Sequence, residues 1–238
     1  MDAPTPSLLA SLQTPDKVLY GLFFAFALAF LALLPVAHPY PGSFVVKLIP
    51  ILALAGLALR NIPGTQGKLL FVGMLLSGAG DVILDIDRVG LFIPGLVAFL
   101  LAHICYIAAF ATELHFTPKR AVPLTLLLVY ALVIGWFLKD IPADKLSPVM
   151  AYLAIITLMA MGAFLLRRPF PLIAIGAVAF MISDTVIAVN KFLVEIPNST
   201  IINIGIYYAA QCMIITGFLL RERRLRAEAG CGPGCGCG

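Results

Sequence analysis

The chain of 238 residues is 61% hydrophobic and only 12% charged, with a mean hydropathy of +1.04. A soluble domain has about 25% charged residues, so this composition excludes a water-facing surface of ordinary size and leaves no room for a separate soluble domain. The net charge of +4 indicates membrane topology and not nucleic-acid binding, because the basic residues lie at the ends of apolar runs. We therefore predict an integral membrane protein.

Eight apolar segments follow one another along the chain, each long enough to cross a hydrocarbon core about 30 Å thick. Short breaks rich in Pro, Gly and Asn separate them, for example at residues 38–42 and 61–64. The pattern predicts an all-α fold, a polytopic bundle of about eight transmembrane helices within residues 18–220. The predicted spans are 18–36, 44–59, 68–85, 91–111, 121–138, 148–166, 171–189 and 200–220.

The distribution of charge predicts the orientation of the bundle. Of the 16 Lys and Arg residues, 11 fall on the side that holds both termini, which places residues 1–17 and the tail 221–238 in the cytoplasm and the protein in the cell membrane. The tail is basic and then rich in Gly and Cys, and we expect it to be disordered. A soft-metal site at Cys231, Cys235 and Cys237 lacks a fourth ligand, so free thiols are favoured.

Ionisable side chains inside the spans are few, and each costs a few kcal/mol in a bilayer unless a partner compensates. The first, fifth and sixth spans carry no internal charge, and we predict that they form a supporting wall. In the third span Ser77, Asp81 and Asp85 share one helix face, because they are four residues apart. The other candidates are Lys47 in the second span, His103 and Tyr106 in the fourth, Ser183 and Asp184 in the seventh, and Tyr207, Tyr208 and Gln211 in the eighth.

The depths of these residues agree. At 1.5 Å per residue, Asp81 and Asp184 both lie about 19 Å from the cytoplasmic ends of their spans. Each residue taken singly also has a structural interpretation, such as a salt bridge with Lys47 or an interfacial tyrosine. Convergence at one depth favours a functional site in the outer half of the membrane. We predict that one pocket is lined by Asp81, His103, Asp184, Tyr207 and Gln211.

A weak internal repeat groups the same residues. Residues 80–88 align with residues 183–191, so that Asp81 corresponds to Asp184. His103 and Tyr207 then follow their aspartates by 22 and 23 residues. Because the third and seventh spans run in the same direction, the repeat predicts two four-helix halves with the site between them.

Taken together, the motifs resemble the YhhN/TMEM86 family of membrane lysoplasmalogenases, from the first span to Leu220. They are, in chain order, Lys-x-x-Pro at Lys47, Ser-x-x-x-Asp-x-x-x-Asp at Ser77, His-x-x-Tyr at His103, Ser-Asp at Ser183 and Tyr-Tyr-x-Ala-Gln at Tyr207. The Cys-rich tail departs from the family pattern. The resemblance implies hydrolysis of the vinyl ether bond of a lysophospholipid, the lysoplasmalogen, to a fatty aldehyde and a glycerophospho head group.

The residues suit that reaction, which needs an acid to protonate the β-carbon, a negative charge to stabilise the oxocarbenium ion and a base to activate water. We predict that Asp81, Asp184 and His103 are catalytic. One aspartate would stay protonated as the acid, and the other, near Lys47, would stay ionised as the base. The predicted partners are the lysophospholipid and the bilayer, with no cofactor or metal. The residues predicted to bind substrate or support the site are Lys47, Ser77, Asp85, Tyr106, Ser183, Tyr207, Tyr208 and Gln211.

Two alternatives use the same side chains. A small proton-coupled transporter would use the buried Asp and Lys residues as a proton relay between two repeats. A metal-dependent hydrolase would use three carboxylates and one histidine as ligands, which is a poor match to the usual zinc sets. Its candidate ligands are Asp81, Asp85, Asp184 and His103.

Overall fold

The computed structural model describes residues 12–37, 40–168, 170–228 and 230. Within these ranges the chain forms eight long α-helices and no strand, and each helix is long and apolar enough to cross a membrane. The predicted all-α membrane bundle is therefore confirmed. The helices are α1 (Thr14–Ala37), α2 (Ser43–Asn61), α3 (Gly64–Ile86), α4 (Phe92–Ala111), α5 (Ala121–Leu138), α6 (Ala143–Phe164), α7 (Pro171–Phe192) and α8 (Ser199–Glu228).

Helix α8 shows the largest departure from the predicted bounds. It continues to Glu228 instead of ending at Leu220, so the basic residues that we assigned to the tail form its last turns. Charge ends a membrane span but not a helix: Arg224 pairs with Glu228 one turn further on, with a distance of 2.9 Å between Nε and Oε1. The predictions for residues 1–11 and for the Cys-rich segment 231–238 lie outside the described residues.

The turns between helices contain the residues that break helices in the sequence. Gly42 and Gly64 have φ values of 81° and 68°, and Asn198 has a φ of 56° just before α8. These left-handed conformations are accessible to Gly and Asn at little cost. Pro171 occupies the first turn of α7, where its missing N–H is no loss.

The helices pack in a pattern that repeats between the two halves of the chain. In the first half α1 packs on α2, α2 on α3 and α3 on α4; in the second half α5 packs on α6, α6 on α7 and α7 on α8. The halves join through two corresponding contacts, α4 with α6 and α8 with α2. Helix α1 also packs on α8. The corresponding helices of the other half, α5 and α4, do not pack on each other as closely. These neighbours are those that two equivalent four-helix halves would have.

Helix α5 is the most peripheral element. It packs mainly on α6, and its outer face carries large apolar side chains such as Leu132 and Trp136, which are 64% and 67% exposed. An apolar surface of this extent faces lipid in a membrane protein and not water. The other seven helices enclose the polar residues of the bundle.

Candidate active site

A cavity of about 190 Å³ opens at the end of the bundle opposite the termini. Its walls come from α2, α3, α4, α7 and α8 and from the turn that follows α3. Polar side chains from both halves reach it, and the two predicted aspartates share it. The polar residues in its inner part are Lys47, Asp81, Asp184, Asn203 and Tyr207.

Asp81 belongs to a buried ion pair. The Nζ atom of Lys47 lies 3.1 Å from Asp81 Oδ1 and 4.0 Å from Asp85 Oδ1, and all three side chains are at most 4% exposed. Lys47 also donates to the Asp81 carbonyl oxygen at 3.3 Å, and Ser43 donates to Asp85. A buried carboxylate keeps its charge only beside a compensating cation. This contact therefore favours the ionised form of Asp81.

Asp184 has a different partner. Its Oδ2 atom is hydrogen-bonded to the hydroxyl of Tyr152 on α6, and in the described part of the chain no Lys, Arg or His forms a salt bridge with it. An unpaired charge in an apolar interior is costly, so this environment favours the neutral carboxylic acid. Because Tyr152 comes from the sixth span, our prediction that this span is only a supporting wall is wrong.

Beneath the cavity lies a packed layer that contains His103 and Gln211. Both side chains are fully buried and neither lines the cavity, so the prediction of one shared pocket is correct for the two aspartates and Tyr207 but wrong for these two. His103 Nδ1 lies 2.7 Å from the Phe99 carbonyl oxygen one turn back in α4. Its ring packs edge-on against Phe180 and Tyr152, with centroids 4.7 and 5.4 Å apart.

The supporting residues form short hydrogen-bonded chains. Tyr106 donates to Gln211 Oε1 at 3.1 Å and lies 3.4 Å from the Ser77 hydroxyl. This close approach depends on Gly73, since a Cβ atom there would lie 2.4 Å from the Tyr106 ring. On the other side of the cavity, Tyr208 donates to the Lys47 carbonyl oxygen at 2.9 Å. These contacts fix α2, α3, α4 and α8 relative to one another.

A second polar contact joins α7 to α8. Asn203 donates from Nδ2 to the Ser183 carbonyl and hydroxyl oxygens at 2.9 and 2.8 Å, and Ser183 donates to the Asn203 carbonyl oxygen at 3.0 Å. Polar pairs of this kind hold helices together where no water competes. Ser183 thus supports the position of Asp184, its neighbour in the chain.

Several buried polar atoms keep hydrogen-bonding capacity. Among the described residues, no partner of standard geometry is found for Asp81 Oδ2, the Tyr207 hydroxyl, His103 Nε2 or Gln211 Nε2. Tyr207 lies close enough to Asp81 for the two groups to interact. Buried polar atoms are usually paired. The Asp81 carboxyl group and the Tyr207 hydroxyl are therefore suited to hold a bound water or an oxygen of a ligand at the cavity wall.

Sequence reasoning missed three residues of the site: Ser43, Tyr152 and Asn203. Ser43 lies one helical turn before Lys47, and Asn203 one turn before Tyr207. The i, i+4 spacing was a usable signal for both, because it puts each pair on the same helix face. Tyr152 stands alone in its span, and nothing in the sequence distinguishes it from an interfacial tyrosine.

An apolar crevice of about 40 Å³ adjoins the cavity between α4, α6 and α7. The two spaces share Asp184, and the crevice continues along Leu96, Val149, Ile187 and Phe192. Almost all of its wall is hydrocarbon.

No three His, Cys, Asp or Glu side chains in the described ranges are grouped closely enough to hold a metal ion. His103 lies in the layer beneath the cavity and does not line it with Asp81 and Asp184. The chemistry available in the inner part of the cavity is that of two carboxyl groups, an ammonium group, a phenol and an amide.

Comparison with known proteins gives a consistent result. The model of the YhhN family matches residues 42–218. A lysoplasmalogenase of Mycobacterium bovis is 32% identical over 171 residues, 69% of this chain and 66% of its own length, slightly under two thirds. Lysoplasmalogenase TMEM86B of Sus scrofa is 32% identical over 202 residues, covering 83% of this chain and 84% of the relative. The human TMEM86B is 30% identical over 171 residues, 71% of this chain and 72% of the relative. No solved structure matches.

Proposed function

This chain belongs to the YhhN family, and we propose that it hydrolyses the vinyl ether bond of lysoplasmalogens, releasing a fatty aldehyde and a glycerophospho head group. The observation that carries the proposal is the pair of buried aspartates in one cavity. One has an ammonium partner and the other a phenol partner. Two carboxyls whose surroundings separate their protonation states are the usual means of acid and base catalysis at one site.

In the first step Asp184 acts as the acid. Its proton is transferred to the β-carbon of the vinyl ether, and the double-bond electrons form the new C–H bond. The positive charge that develops is shared between the α-carbon and the ether oxygen as an oxocarbenium ion. The Asp81 carboxylate stabilises this ion through its negative charge, as the paired carboxylates of glycosidases do.

In the second step Asp81 acts as the base. It accepts a proton from a water molecule as the water oxygen bonds to the α-carbon, which gives a hemiacetal. The hemiacetal then collapses: its C–O bond to glycerol breaks, the glycerol oxygen takes the proton from Asp81, and the hemiacetal hydroxyl returns a proton to Asp184. The products are the aldehyde and the head-group alcohol, and both carboxyls regain their initial states.

The other predicted residues support these steps. Tyr207 lies beside Asp81 and lines the cavity, so its hydroxyl is suited to orient the attacking water. His103 does not reach the cavity; we assign it a positioning role, because its ring packs against Tyr152, the partner of Asp184. Lys47 stabilises the ionised form of Asp81 in the resting state and while the oxocarbenium ion forms.

The adjoining crevice, of about 40 Å³, suits the part of the alkenyl chain nearest the vinyl ether. It begins at Asp184 and is lined by apolar side chains, so an alkenyl chain lying in it would present its vinyl ether to the acid. On the termini side of the cavity, Tyr106, Phe110, Phe180 and Phe218 are fully buried and close the bundle. A hydrolase needs only the one opening, whereas a transporter would have to open this floor alternately with the mouth.

We also propose that the protein lies in the cell membrane with both termini in the cytoplasm, because 11 of its 16 Lys and Arg residues are on that side. The cavity then opens toward the outer leaflet. Labelling of single cysteines placed in the turns, with a reagent that does not cross membranes, tests this orientation. Labelling of the turn at residues 113–117 from outside intact cells would show that the protein has the opposite orientation.

The activity is tested with two substrates. Purified protein is incubated with a lysoplasmalogen and with the saturated ether of the same chain and head group. We expect aldehyde from the first and none from the second, because only the vinyl ether can be protonated at carbon. Absence of aldehyde from both, or cleavage of the saturated ether, would contradict the proposed reaction.

A further inference from the structure

Two cations lie at the mouth of the cavity and have no part in the proposed chemistry. Arg88 follows the end of α3, and Lys191 lies in the last turn of α7; both line the cavity that contains the aspartates. Each is seven residues beyond the aspartate of its own half, Asp81 or Asp184. In a helix this step corresponds to about 10 Å. Each half therefore supplies one carboxyl and, nearer the mouth, one cation.

Neither cation has an anionic partner among the residues that the structure describes. No carboxylate in the described part of the chain forms a salt bridge with Arg88 or Lys191. Arg88 donates from Nη1 to the Thr200 hydroxyl at 3.0 Å, and the Lys191 Nζ lies 4.4 Å from the centroid of the Phe92 ring. The charges acting on Lys191 are those of two further cations, Lys145 and Arg88. Since like charges repel, an anion bound between them would stabilise the mouth.

The first turn of α8 adds hydrogen-bond donors at the same place. Ser199 and Thr200 begin this 30-residue helix and line the mouth beside the two cations. The N-terminus of a helix carries a partial positive charge and backbone N–H groups without helical partners. A helix N-terminus combined with Arg and Lys side chains around a concave opening favours a phosphate group.

We propose that Arg88, Lys191 and the first turn of α8 bind the phosphate of the substrate lysophospholipid. The inference rests on the proposed function, to which it adds the orientation of the lipid: head group at the mouth, vinyl ether at the aspartates, chain in the crevice. In a lysophospholipid the phosphate lies beyond the glycerol backbone from the ether oxygen, in the same order as the cations lie beyond the aspartates. The mouth thereby selects phospholipids over alkenyl glycerols that lack phosphate.

Steady-state kinetics test the proposal with Arg88→Gln, Lys191→Gln and the double variant. We expect each single variant to raise the KM for the lysoplasmalogen about tenfold, the loss of one charged hydrogen bond, with kcat nearly unchanged. The KM for the corresponding alkenyl glycerol should be high in the wild type and unaffected by either substitution. Lys139→Gln is the matched control, because Lys139 is a partly exposed cation at the same end of the bundle and outside the cavity.

A binding measurement separates this proposal from the activity itself. The saturated ether lysophospholipid is titrated into the detergent-solubilised protein by calorimetry, with inorganic phosphate as a competitor. We expect the double variant to bind the lipid about a hundredfold more weakly than the wild type, and phosphate to compete only weakly with the lipid.

The two experiments together distinguish a failure of the phosphate site from a failure of the proposed function. Wild-type protein that releases no aldehyde but binds the lipid through Arg88 and Lys191 would contradict the proposed function and support the phosphate site. Unchanged lipid affinity in the double variant would overturn the phosphate site and leave the hydrolase intact. Inorganic phosphate that binds as tightly as the lipid would also overturn the proposal, because the mouth would then serve a free anion.

Discussion

The two halves of the molecule each contain a buried aspartate, but the two aspartates have different hydrogen-bonding partners. Asp81 on α3 is held by Lys47 from the preceding helix, α2, whereas Asp184 on α7 is held by Tyr152 from the preceding helix, α6. The helix neighbours correspond, but an ammonium group stands in one half where a phenol stands in the other. An ammonium group stabilises the ionised form of a neighbouring carboxyl group, whereas a neutral phenol does not compensate the negative charge of that form. Under the proposed mechanism, a repeated architecture thus gives two equal side chains different roles, one as base and one as acid.

The largest expected effect comes from removing either member of the pair. Asp81→Asn and Asp184→Asn are nearly isosteric, but each abolishes a proton donor or acceptor in the chemical step. We expect each to reduce kcat by about a hundredfold or more, the usual contribution of general acid–base catalysis, while binding of the saturated ether analogue is retained. Turnover is measured as aldehyde release in detergent, without any gradient.

Retention of full activity in both Asn variants would eliminate the carboxylate mechanism. A proton-coupled transporter would behave differently: the wild type would release no aldehyde, and the Asn variants would lose gradient-driven flux in vesicles.

Removing the ammonium from the first half should have the next largest effect. Lys47→Met leaves the buried carboxylate of Asp81 without its cation, which costs about 3 to 5 kcal/mol when one partner of a buried pair is lost. We expect lower thermal stability together with lower kcat. Lys139→Met, which removes a partly exposed cation at the same end of the bundle, is the control. A Lys47→Met protein as stable and active as the wild type would show that the ion pair has no part in the site.

A smaller effect on activity is expected when the hydrogen-bond partner of Asp184 is changed in the second half. Tyr152→Phe removes the hydroxyl that is bonded to Asp184 but keeps the ring that packs against His103. We expect kcat to fall about tenfold, because the loss of one hydrogen bond corresponds to roughly 1.4 kcal/mol, with little change in KM. A change in KM as large as the change in kcat, or no change in either, would indicate that Tyr152 does not position the acid.

The smallest effect on activity is expected in the layer beneath the cavity. Tyr106→Phe removes the hydrogen bond to Gln211 Oε1 and the contact with the Ser77 hydroxyl. We expect a loss of about 1 to 3 kcal/mol in the free energy of unfolding, the cost of an unsatisfied buried group, and nearly unchanged kcat. A denaturation series and an activity assay on the same preparation measure both. Loss of turnover without loss of stability would indicate that Tyr106 takes part in the reaction and does not only support the fold.

The sequence predicted the helices well because the bilayer sets their length and excludes charge, which makes the apolar runs easy to recognise. It also predicted that Asp81, Asp184 and Tyr207 share a pocket, since their depths could be counted along the helices. It could not predict that His103 turns away from the cavity, because depth does not give the direction in which a side chain faces. Tyr152 was missed for a related reason: a single tyrosine in an apolar span has no distinguishing spacing.

The central claim is that Asp184 is protonated and Asp81 ionised in the resting enzyme at neutral pH. Infrared difference spectroscopy tests it directly, because a protonated carboxyl has a carbonyl stretch that a carboxylate lacks. We expect the wild type to show a protonated-carboxyl band that disappears in Asp184→Asn and persists in Asp81→Asn. A band that disappears in Asp81→Asn instead, or that persists in both variants, would contradict the assignment of acid and base to the two halves.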